Sequence, residues 1–234
     1  MPHDTAAHLA LLTDADARLV RTVDGLSGPD WEAPSSLPGW TRAHVVAHLA
    51  LNSEGLAGAL RGVVSGEPVA MYSSQEARDH DIEELAAAEP EELRARLMAG
   101  VTAFVDAVTA VPDDAWSARI ERTPGGDRTF VAAAAVGMRL REVEIHHADL
   151  GDGYSHRDWP TAFSALVLDA MVKRGPARRP FTADPTDLDG TWELGQGGPT
   201  VSGTAADLAW WLTGRGTGEE LTSDDGELPG IEEW

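Results

Sequence analysis

The chain has no cysteine among its 234 residues. That absence excludes disulfides, thiolate zinc fingers, iron–sulfur ligation and a cysteine nucleophile. Any sulfur chemistry would have to be brought in from outside. It also fits a reducing compartment, and a cytoplasmic location is expected. Lysine is nearly missing: Lys173 stands alone, and the other basic residues are arginines, which suit bidentate carboxylate recognition. Positive charge is scarce altogether, with 18 basic against 39 acidic residues and a formal net charge of -21. Such a field repels phosphate backbones, so no nucleic acid and no membrane partner is expected. No apolar run approaches the roughly 18 residues of a membrane span. The start, MPHDTAAHLALL, lacks a basic n-region, so no signal peptide is expected. Gly-x-Ser-x-Gly does not occur, and GDGYSH and GQGG do not stand between a strand and a helix, which argues against a hydrolase elbow or a phosphate loop.

What remains is helical pattern. Leu9, Leu12, Leu19, Val20 and Val23 place a first helix over 6–25. Thr41 can cap a second that runs to about Val64, with Val45, His48, Leu49, Asn52 and Leu56 on one face. A short acidic helix is expected over 74–87. Another begins at Glu89-Pro90-Glu91, with Leu93, Leu97, Val101, Phe104 and Val108 as its stripe. A last helix of this half is expected over 129–150, with Val131, Ala135, Met138, Glu142, Ile145, His146 and Asp149 inward. The composition then changes near 152–158. A helix ending at Lys173, strands at 180–183, 191–195 and 199–203, and a helix ADLAWWL capped by Thr204 suggest a second, α/β unit. The tail LTSDDGELPGIEEW is expected to add a short strand. The fold class read from this pattern is α+β, with a four-helix bundle over 1–154 and a small α/β domain over 155–234.

Three residues on the inward stripes carry chemistry: His48, Glu142 and His146. Glu142 and His146 lie one helical turn apart. Burying them without partners costs several kcal/mol, roughly, so something must satisfy them. Two histidines and one carboxylate form a zinc-type set that leaves a coordination position open. Glu144 with His147 is a competing pair on another face; if Glu142 and His146 point inward, those two turn to the flank or solvent. His44, one turn before His48, is a possible fourth ligand or a surface residue. Asp149 can orient His146 through its free ring nitrogen, or bond Arg141 or solvent. Asn52 either lines the cavity or is a satisfied core amide. Arg215 follows a helix C-terminus, where positive charge is routine. Trp210 and Trp211 divide between core and interface.

The runs LPGWTRAHVVAHLALN, RLREVEIHHADLG and GTAADLAWWLTGR, followed by LPGIEEW, resemble the mycothiol-dependent maleylpyruvate isomerase family over nearly the whole chain. The resemblance implies a DinB-like four-helix bundle carrying a divalent metal, usually zinc, and a smaller C-terminal α/β domain. It places the metal ligands on His48, Glu142 and His146 and a catalytic arginine on Arg215; Asn52 and Asp149, by their spacing from His48 and His146, are expected beside the cofactor. It implies mycothiol as thiol cosubstrate. Thiolate addition to maleylpyruvate, rotation about the resulting single bond and elimination would give fumarylpyruvate. Two other functions share this scaffold: a mycothiol S-transferase acting on an electrophile, and a metal-bearing binding or regulatory module without turnover. The expected partners are a small dicarboxylate or electrophilic substrate and mycothiol, with the chain as monomer or dimer.

Overall fold

A computed structural model describes residues 1–175 and 177–232 of the chain. It divides into two compact units, Met1–Gly153 and Tyr154–Trp234.

The first unit is built on four long helices: α1 (His3–Gly25), α3 (Arg42–Ser65), α5 (Pro90–Ala110) and α6 (Ala135–Asp149). The short α2 (Gly28–Glu32) and α4 (Gln75–Ala86) lie in the connections. Around the bundle α1 packs on α5 and α6, and α3 packs on α5 and α6, so each long helix buries two flanks. α3 starts on Thr41, whose hydroxyl meets His44 Nδ1 at 2.7 Å, a histidine standing where a capping box usually has Glu. α5 starts on Pro90 with Glu91 and Glu92 in its first turn, where a fixed φ and negative charge both favour a helix start. α3 and α5 meet closely at Gly100, where a β-carbon would run into Ser53 Oγ. The bundle core includes Leu12, Leu19, Leu49, Leu56, Leu97 and Phe104, all nearly inaccessible.

Two expectations change here. The helix expected over 129–150 starts only at Ala135. Thr129–Val131 instead forms strand β2, paired antiparallel with β1 (Arg119–Glu121), Ile120 opposite Phe130. A β-branched and aromatic triplet after the turn TPGGDR favours the hairpin over another helical turn. Val131 is therefore exposed and not on an inward stripe. The loop before α4 runs beside this hairpin: Met71 N–H donates to Glu121 O at 3.0 Å and Tyr72 N–H to Arg122 O at 2.9 Å.

Second, Glu144 and His147 do not turn to solvent. They are 0% and 1% exposed, because α6 packs against α1 on that side. Arg18 donates to Glu144 Oε1 at 2.6 Å, and His147 Nε2 meets Thr22 Oγ1 at 2.8 Å. α6 is thus a helix with polar groups buried on two faces, each face serving a different neighbour.

The second unit contains α7 (Thr161–Arg174), which ends on Gly175 at φ 67°, a left-handed value that favours glycine. Strands β3 (Phe181–Pro185), β4 (Trp192–Leu194), β5 (Thr200–Gly203) and β6 (Thr222–Ser223) form one sheet in the order β4-β3-β5-β6. β3 is antiparallel to β4 and parallel to β5. Thr204 accepts from Asp207 N–H at 3.1 Å and caps α8 (Ala205–Leu212). Phe163, Val167, Ala183, Val201 and Leu208 make its core. The tail supplies β6 and an isolated bridge between Ala177 and Ile231; its last two residues lie outside the described ones. Among the described residues no helix is long and apolar enough to cross a membrane.

Candidate metal centre

α3 and α6 bring His48, Glu142 and His146 together. One ligand-type atom from each lies within 4.8 Å of the others. His48 Nε2 stands 2.8 Å from Glu142 Oε2, and His146 Nε2 stands 3.3 Å from the same oxygen. The two imidazoles meet edge to face, centroids 4.7 Å apart. The cluster is graded in burial: the side chain of His48 is 4% exposed, that of His146 16%, and that of Glu142 28%. Solvent therefore reaches it from the Glu142 side.

Its electrostatics follow from this packing. Burial is the main force on His48 and, against the opposing pull of Glu142, lowers its pKa to about 4. Burial alone would raise the Glu142 carboxyl, but hydrogen bonds and charge from His146 and His48 outweigh it and hold Glu142 well below the usual range. For His146 burial pulls downward, yet Asp149 and Glu142 prevail and its pKa rises.

Asp149 is fully buried, with Oδ2 2.8 Å from His146 Nδ1. Ser36 holds it in place: its N–H donates to the Asp149 carbonyl at 2.8 Å and its hydroxyl to Oδ1 at 2.9 Å. Of the readings open for Asp149, the geometry thus realises the one in which it orients His146. Trp40 packs on His48 with centroids 5.7 Å apart.

Other sequence candidates fall elsewhere. The Nδ1 of His44 is engaged by Thr41 and its Nε2 lies 3.3 Å from Glu83, so it serves the helix start. Asn52 is 2% exposed and its Oδ1 accepts from Arg139 Nη1 at 3.1 Å, a satisfied core amide. Arg215 lies just past α8 in the second unit, its guanidinium carbon 5.7 Å from the Trp210 ring centroid. Trp211 is buried, while Trp210 stacks on His156 at 5.1 Å.

Sequence reasoning missed three residues. Arg139 is fully buried one turn before Glu142 and donates to Leu49 O at 2.8 Å. Its spacing from Glu142 was the available signal. Arg78 on α4 points Nη2 at His48 Nδ1, 3.1 Å away. Tyr72 sits beneath two guanidinium carbons, those of Arg78 and Arg122, at 5.7 and 5.5 Å from its ring centroid. No periodic pattern marks either, because both are placed by a loop and a short helix.

Fold and donor set define a helical bundle with a metal-type cluster in its core, followed by a small α/β unit. The chain belongs to the mycothiol maleylpyruvate isomerase family: the profile of that family's N-terminal domain matches residues 12–151. It is similar to the crystal structure of the mycothiol-dependent maleylpyruvate isomerase, with 28% identity and a TM-score of 0.87 over 100% of this chain and 98% of that one. A histidine-to-alanine mutant of that enzyme matches equally, at 28% identity and TM-score 0.87 with the same coverage. No match is found among curated protein sequences.

Proposed function

We propose that this chain is a metal- and mycothiol-dependent cis–trans isomerase that converts maleylpyruvate to fumarylpyruvate. The observation that carries the proposal is the His48–Glu142–His146 cluster in a chain of this family. The donors suit a zinc-type ion. Ligands about 2.0–2.2 Å from a tetrahedral centre stand about 3.3–3.6 Å apart. The His146–Glu142 separation of 3.3 Å meets that, and the His48–Glu142 separation of 2.8 Å needs only a small opening. Three protein donors leave one position open, as catalytic zinc sites do.

A divalent ion held there supplies Lewis acidity that favours the thiolate form of a bound thiol. The protein's own residues do the rest. Asp149 accepts a hydrogen bond from Nδ1–H of His146, so that Nε2 is the nitrogen turned to the cluster. Buried surroundings keep His48 neutral, hence able to ligate, far below neutral pH. Arg215 is proposed to bind a substrate carboxylate and the negative charge that develops on the conjugated carbonyl. A carbon–sulfur bond is made and later broken, so substrate and product are isomers and the thiol returns unchanged. The chain's lack of cysteine agrees with a thiol supplied from outside.

The test is to incubate zinc-loaded protein with maleylpyruvate, with and without mycothiol, and follow fumarylpyruvate. Product that depends on both zinc and mycothiol is expected. No isomerisation, together with conjugation of a general electrophile, replaces this reading by the S-transferase.

A further inference from the structure

The two histidines of the cluster are not equally ready for a metal. His146 has a carboxylate behind it: Asp149 can only accept, so Nδ1 keeps its hydrogen and Nε2 is free to ligate once any second proton leaves. His48 has a guanidinium behind it. Arg78 Nη2 lies 3.1 Å from His48 Nδ1, and a guanidinium can only donate. Nδ1 must therefore be the accepting nitrogen, and Nε2 carries the hydrogen that meets Glu142 Oε2 at 2.8 Å. Ligation through Nε2 needs the opposite arrangement. The hydrogen then sits on Nδ1 and faces the Arg78 N–H, donor against donor. The contact between Arg78 and His48 cannot survive metal uptake.

The freed guanidinium has somewhere useful to go. Its side chain is 15% exposed, and among the described residues its buried Nε finds no acceptor. It lines a cavity of about 190 Å³ together with Tyr72, Met71, Glu54 and Asp81. Of the two acids in this lining, Glu54 is paired with Arg96 at 3.0 and 2.5 Å, and Asp81 also feels that arginine's charge. Arg122 over the other part of Tyr72 adds positive charge. Nη1 remains tethered to Asp79 at 2.7 Å, a solvated partner that allows the head to turn.

We propose that Arg78 is a two-position residue: it occupies His48 Nδ1 while the donor cluster is empty, and on metal uptake it turns to bind a carboxylate of an anionic substrate. The inference rests on the metal-centre reading above and deepens it. An anionic substrate needs a cationic partner, and Arg78 supplies one from the helical unit itself. Arg78 thereby links loading of the site to substrate recognition, because its charge becomes available only when His48 lets it go.

The experiment compares the full-length protein with Arg78→Gln, whose amide oxygen can accept from Nδ1–H, and Arg78→Met, which offers neither donor nor acceptor. Zinc affinity is measured by competition with a chromogenic chelator, and binding of maleate to the zinc-loaded forms by calorimetry. Arg78→Gln is expected to bind zinc about tenfold more tightly, the scale on which partners behind ligating histidines act. Arg78→Met should gain less. Both should bind maleate at least about tenfold more weakly, consistent with a lost bidentate arginine. Zinc affinity that is unchanged or lower in Arg78→Gln overturns the inference and leaves the metal centre standing. Unchanged maleate affinity also overturns it. If the parent protein takes up no zinc, the inference and the metal-centre reading fall together.

Discussion

His146 and Asp149, three residues apart on α6, are joined by a 2.8 Å contact between Nδ1 and Oδ2 at the end of the helix. The contact fixes the ring plane and decides which nitrogen faces Glu142 and His48. It carries a first prediction. Asp149→Asn keeps the shape but loses the charge, and zinc affinity should fall about 10- to 100-fold. Chelator competition measures it, and an affinity equal to the parent's would remove Asp149 from the site.

His48→Ala should abolish stoichiometric zinc while leaving the bundle folded, since the leucine and phenylalanine core shared by α3 and α5 is untouched. Metal content by atomic absorption and helicity by circular dichroism check the two halves of this statement. A variant that keeps one zinc per chain refutes the ligand set.

Zinc uptake should release close to one proton per ion at pH 6, not two. His48, with its pKa at about 4, is already neutral there, and Glu142 is already ionised. His146, raised above 6.5, carries the proton that must leave. The proton is bound in the empty site and absent from the loaded one, so acidification favours the empty form. Affinity should drop by about tenfold per pH unit below the His146 pKa and more steeply below about pH 4. Calorimetry in buffers of different ionisation enthalpy counts the protons. Two released at pH 6 would mean that His48 is charged in the empty site.

Arg215→Ala should lower kcat/KM for maleylpyruvate by about 10²-fold or more without changing zinc content. Arg215→Lys should recover only part of it, because lysine lacks the planar fork. Steady-state kinetics with parallel metal analysis separates this from a folding defect.

Gly100→Ala should destabilise the bundle, because the added β-carbon meets Ser53 Oγ where α3 and α5 touch. Overpacking costs about 1–3 kcal/mol, offset by about 1 kcal/mol of helix propensity. Ser53→Gly in the same chain should restore part of the loss. Thermal denaturation of the single and double variants decides it.

Much of the bundle was legible because amphipathic helices repeat their apolar residues at a fixed period, and α1, α3 and α5 do so, with Thr41 and Pro90 marking where two of them start. That His48, Glu142 and His146 cluster was legible for the same reason: polar residues on a core stripe stand out. α6 was harder. Its first expected turn is a strand whose partner is Arg119–Glu121, a tertiary choice that local spacing does not encode. Glu144 and His147 read as turned to the flank or solvent because one buried face was assumed, whereas α6 is enclosed on two. Tyr72 could not be placed, since a loop paired to that same hairpin delivers it, and the expected helix over 74–87 carried no sign that Arg78 faces His48.

The pairing of Met71 and Tyr72 with Glu121 and Arg122 ties that loop to the segment leading into α6. Tyr72, which lines the cavity beside Arg78, is thus anchored to the hairpin through the main chain of its own residue and the one before it. Its position depends on backbone pairing, whereas Arg78 is held by side-chain contacts that can be exchanged.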